Sequence, residues 1–145
     1  MVRKHASTIC LVVLAFGAGL AVKGPAPVEA RSADRVYELR TYTTAEGKLP
    51  NLLARFGGGE IDLFTRHGMT SVGYWVPDDP ELSENTMVYM LAHESREAAA
   101  ASWRAFAGDP DWQEMSESSQ VDGRILIRGG VKSMFLNPTD FSPAR

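Results

Sequence analysis

The chain has a single cysteine, Cys10. A disulfide framework and a thiolate metal cluster are therefore excluded. It also lacks an excess of either charge. The 15 Lys and Arg stand against 18 Asp and Glu, a net of −3, so there is no broad basic footprint for nucleic acid. There is no Gly-rich phosphate loop, because Gly57-Gly58-Gly59 has neither the following Lys-Ser/Thr nor a preceding strand. A Gly-x-Ser-x-Gly elbow is missing as well. What remains is an ordinary balance, 44% hydrophobic and 23% charged over 145 residues, which is one globular domain's worth.

The first thirty residues read as an address. Arg3, Lys4 and His5 precede an uncharged, almost wholly apolar run from Ile9 to Val22. Its 14 residues make about 21 Å of helix against about 30 Å of hydrocarbon, too short to span comfortably. Lys23-Gly24-Pro25 breaks the run, and Val28-Glu29-Ala30 places small residues before a cleavage point. This pattern is a cleavable secretory signal over residues 1–30, with export to the periplasm or the exterior and no stable membrane anchor afterwards. Arg3, Lys4, Lys23 and Glu29 leave with it, so the 15 bases and 18 acids become 12 and 17, a net of −5 over residues 31–145. That mature domain is cysteine-free, which suits an oxidising compartment.

The remainder alternates between two periods. Val36 to Tyr42 is rich in β-formers and predicts a strand, with Glu38, Arg40 and Tyr42 on one face and Tyr37, Leu39 and Thr41 on the other. Leu49, Leu52, Leu53 and Phe56 repeat at helical spacing, and Gly57 to Gly59 predict a kink or break before Ile61 and Phe64 resume the stripe. Gly68 closes that helix. Thr70–Val76 and Thr86–His93 predict the second and third strands. Ser95 opens a second helix with Ala99, Ser102, Trp103 and Phe106 inward. Asp109-Pro110 restarts a short one after Gly108. Arg124 to Leu136 predicts the last strand, with a bulge at Gly129-Gly130. The order is βαββαβ, an α+β, ferredoxin-like split βαβ arrangement. Both helices then cover one sheet face. Leaving the other face in water is costly for so small a domain, which predicts a homodimer packed sheet to sheet into a closed barrel.

Tyr37-Glu38-Leu39-Arg40-Thr41-Tyr42 resembles the opening signature of the NIPSNAP family. Gly47-Lys48-Leu49, Arg66-His67-Gly68, Gly73-Tyr74-Trp75, Asp109-Pro110-Asp111-Trp112 and Phe141-Ser142-Pro143 are similar to the same family, in order, from about Val36 to Pro143. The resemblance implies a dimeric α+β barrel without a settled reaction. The wider superfamily includes cofactor-free monooxygenases, haem-degrading enzymes, isomerases and plain binding proteins. The glycine triplet departs from the continuous first helix that the resemblance implies.

Candidate pocket residues follow from chemistry and strand period. If Tyr37 and Leu39 face the helices, Glu38, Arg40 and Tyr42 face the barrel interior. There Arg40 can hold a carboxylate or enolate oxygen, Tyr42 can donate, and Glu38 can act as a base. The structural alternative is a buried Glu38–Arg40 pair. His67 and His93 are the default bases near neutral pH. Their alternatives are a helix C-terminal residue and a strand-end hydrogen bond. Of Tyr74 and Trp75, one faces the helices and the other the barrel. No acid sits at metal-ligand spacing from either histidine, so neither metal nor cofactor is expected. The functional expectations are a binding protein holding a small apolar or aromatic ligand in the barrel, a small monooxygenase- or isomerase-type enzyme, or a haem-handling protein.

Overall fold

The computed structural model describes residues 35–144, so the expected leader lies outside the described residues. Four antiparallel strands form one sheet: β1 (Val36–Thr44), β2 (Thr70–Trp75), β3 (Thr86–His93) and β4 (Leu126–Leu136). They lie side by side in the order β2-β3-β1-β4, the order of the split βαβ arrangement, with β1 and β3 at the centre. The α+β, ferredoxin-like fold expected from the element order is therefore the fold observed.

Helices α1 (Leu49–Arg55) and α2 (Ile61–Arg66) flank a π-helical turn, Phe56–Glu60, and α3 (Arg96–Ala107) and α4 (Pro110–Ser118) follow β3. The break falls at Gly59, whose φ of +134° no residue with a Cβ adopts without strain. Ser95 caps α3 by accepting from the Ala98 amide at 3.0 Å. Asp109 caps α4 by accepting from the Asp111 amide at 2.8 Å, with Pro110 in the first turn. The last strand starts two residues later than the β-former pattern predicts. Its register against β1 shifts between Tyr42 and Thr44, beside Gly129 at φ +72°.

All four helices cover one sheet face. The core between the layers is aromatic: Phe56 and Tyr89 meet edge to face at 5.2 Å and Tyr42 and Tyr89 at 5.1 Å, and the rings of Phe64 and Phe106 are tilted at 5.1 Å. Leu52, Leu91 and Ile125 are fully buried among them. Burying each such side chain stabilises the fold by roughly 1.5–3 kcal/mol.

The opposite face carries no helix. Register places Leu39, Val88, Met90 and Met134 on it together, with Trp75 beside Val88 at the edge. Met134 is 57% exposed and Trp75 50%. The Trp75 indole lies over Gly73, where an added Cβ would come within 2.5 Å of the ring, so glycine at this position is what lets the indole lie down.

Candidate functional site

The polar row on β1 points to the helices, not to the open face. This corrects the expectation that Glu38, Arg40 and Tyr42 face a barrel interior. Alternation puts the three on one side, and pairing with Leu91, Tyr89 and Met87 of β3 makes it the side of the aromatic core. Tyr37 and Leu39 are apolar enough to suggest the opposite. The helix layer, however, brings Trp103, whose indole N–H donates to Glu38, and β3 and β4 bring His93 and Ser133.

Glu38 is 2% exposed. Its Oε1 accepts from Arg40 Nη1 at 2.6 Å and from Ser133 Oγ at 2.6 Å. Its Oε2 accepts from Trp103 Nε1 at 2.7 Å and from His93 Nε2 at 3.1 Å. Burial alone would raise the pKa of this carboxyl. The hydrogen bonds from His93, Ser133 and Trp103 and the charge of Arg40 together outweigh burial and lower it from 4.5 to about 2. The Arg40 guanidinium lies 4.1 Å from the Trp103 ring and donates to Tyr42 Oη at 3.3 Å. Burial opposes its charge, but the facing Tyr89, Tyr42 and Glu38 oxygens more than compensate, and its pKa is raised. Tyr89 Oη in turn donates to Tyr42 Oη at 2.8 Å.

With Glu38 ionised, the His93 bond requires its proton on Nε2. Two buried polar atoms have no partner among the described residues, Arg40 Nε and His93 Nδ1. The others are satisfied, so Glu38 and Arg40 form the buried pair of the structural alternative.

The remaining candidates disperse. His67 caps α2 and its Nε2 meets Asp109 Oδ2 at 2.7 Å. Arg66 reaches Asp111 at 2.6 Å and Asp109 at 3.3 Å. The Arg66-His67-Gly68 and Asp109-Pro110-Asp111-Trp112 stretches thus meet, tying the end of α2 to the start of α4. The His67 hydrogen bond comes first among the causes that lower the Asp109 pKa. Tyr74 faces the core, shares a 2.6 Å hydrogen bond with Ser71 and stacks with Tyr89. Burial raises its pKa. Trp75 alone of the seven lies on the open face.

Sequence reasoning missed two partnerships. Trp103 reads as plain core on an alanine-rich helix, yet its indole N–H serves Glu38. Ser133 lies opposite Arg40 only because of the β1–β4 register. A second buried ion pair was missed as well: Arg55 Nε donates to Glu60 Oε2 at 2.8 Å under the π turn. The i, i+5 pair closes across the break at Gly59, which a continuous α-helix would not bring together.

Several solved structures share this fold. A NIPSNAP domain protein from Burkholderia xenovorans is 28% identical, with a TM-score of 0.62 over 74% of this chain and 98% of its own. A NIPSNAP family protein from Agrobacterium tumefaciens is 26% identical, with a TM-score of 0.65 over 77% and 99%. A Streptomyces coelicolor monooxygenase, solved with nanaomycin D, is 19% identical, with a TM-score of 0.52 over 83% of this chain and all of its own, a likeness of fold alone. No curated protein matches the chain. The NIPSNAP family model matches residues 37–143, from the first strand of the sheet to the tail beyond its last, and the chain belongs to the NIPSNAP family.

Proposed function

We propose that the protein is an exported homodimer, closed by the open faces of two sheets, that binds a small apolar or aromatic molecule. The single observation that carries the reading is the apolar face formed by Leu39, Val88, Met90, Met134 and Trp75. A contiguous uncovered patch of this kind marks an interaction surface. Two such faces pack into a closed barrel with the helices outside. The space between them is walled mostly by thioether, aliphatic and indole groups, with Thr41 and Lys132 at one end of the same face, so a guest there is largely apolar or aromatic, and Trp75 is the candidate placed to meet it. The charged start, short apolar run and small residues before Arg31 support export.

A binding role is favoured over acid–base catalysis through Glu38. A carboxylate with a pKa of about 2 and four donors on it is a poor base at neutral pH.

Native mass spectrometry of the exported protein tests each part. The expected result is a dimer of chains beginning at Arg31 that carries an added small-molecule mass, released on gentle activation. A monomer, a retained leader, or a dimer with no added mass under the gentlest conditions would each remove the corresponding part of the reading.

A further inference from the structure

A cleft of about 290 Å³ opens in the helix layer, between α1 with its π turn and α4. Arg55, Gly58, Met115, Ser118 and Ser119 line it, with Asn51 and Ala54. It is on the helix side of the sheet and owes nothing to the open face.

Arg55 is the unusual member. Its side chain is only 5% exposed, yet it lines an open cleft. Nε is pinned by Glu60 at 2.8 Å, and the guanidinium lies 5.0 Å from the Trp112 ring. The two terminal nitrogens have no hydrogen-bond partner among the described residues, and neither is sealed from solvent. A planar fork held by one ion pair and one aromatic ring, with its outer edge free, is arranged for bidentate recognition of a carboxylate. Met115 and Ala54 give an apolar wall. The Ser118 and Ser119 hydroxyls each donate within their own helix, to Met115 O and Ser116 O, both at 3.1 Å.

Gly58 adds an independent observation. Unlike Gly59, it has an ordinary backbone conformation. A Cβ built on it meets nothing within 4 Å. Neither backbone nor packing calls for glycine there, and in a helix glycine is less favourable than alanine. Its missing side chain leaves the cleft open.

We propose that this cleft binds a small monocarboxylate with an apolar or aromatic body, the Arg55 fork holding the carboxylate and Met115 and Ala54 covering the body. The cleft's volume lies at the small end for ligand pockets, which suits a guest the size of benzoate.

Benzoate is the probe, added to the isotope-labelled protein and followed by amide NMR, with benzyl alcohol and benzylamine as controls. Saturable shifts are expected at Gly58, Ser118 and Ser119, with binding at least tenfold weaker for both controls. Gly58→Leu fills the cleft without touching a charge and should weaken benzoate at least tenfold with an unchanged or higher melting temperature. Arg55→Lys keeps a cation near Glu60, loses the fork, and should weaken it similarly. No saturable shift up to millimolar benzoate, shifts centred elsewhere, equal binding of benzylamine, or full affinity in folded Gly58→Leu or Arg55→Lys would each overturn the proposal.

Discussion

Glu38 and Arg40 show what one residue's surroundings decide. A row at i, i+2, i+4 is legible in the sequence because strand period fixes which side chains share a face. Which face it is cannot be read there, because the answer lies with Trp103, His93 and Ser133, brought in by distant elements and by register. The pairing has consequences for substitution. Arg40→Met leaves Glu38 buried with its charge uncompensated and should destabilise the fold by about 3 kcal/mol, read by urea denaturation. An unchanged midpoint would mean that the pair contributes nothing. The pH dependence has a definite sign. A carboxyl lowered from 4.5 to about 2 contributes stability above pH 4.5 and loses it as pH falls towards 2, roughly 3 kcal/mol in all. Glu60, raised by burial against the opposing charge of Arg55, acts the other way, its contribution shrinking as pH rises through its range. Glu38→Gln should flatten the acid limb of stability against pH. A limb as steep as in the parent protein would place its origin in other carboxylates.

At the scale of elements, punctuation residues carry most of what the sequence reveals. Ser95, Asp109-Pro110 and Gly68 mark helix boundaries by local hydrogen bonding and backbone conformation, so they are readable without knowing the fold. The broken first helix is readable for the same reason. What the three glycines do individually is not, because it depends on the neighbouring α4. Gly59 holds φ +134° with Met115 Cε 3.0 Å from an added Cβ, so Gly59→Ala should cost about 1–3 kcal/mol. Gly57 has open space and an ordinary φ, so Gly57→Ala should be neutral or stabilising by up to about 1 kcal/mol. Thermal melts of the two variants side by side check the contrast, and equal effects would contradict it. Ser95→Ala should cost about 1 kcal/mol through the lost cap on α3.

For the whole molecule, the fold was the most legible property and the pocket the least. The βαββαβ order, sheet topology and bare face follow from periodicity and from the need to bury apolar strands. The buried polar cluster and the cleft at the π turn arise where elements distant in sequence meet, and single-chain periodicity carries no record of that. The proposed face-to-face packing of two sheets implies an obligate, core-like interface, in which association and stability are inseparable. Light scattering on the mature chain, beside its Met134→Lys variant, tests this most directly. The parent should run as a dimer of about 25 kDa, taking about 110 Da per residue, and the variant, with a second charge set into the open face beside Lys132, should dissociate and melt early. A parent protein that stays a cooperative, stably folded monomer of about 13 kDa, unmoved by Met134→Lys, would contradict the sheet-to-sheet dimer.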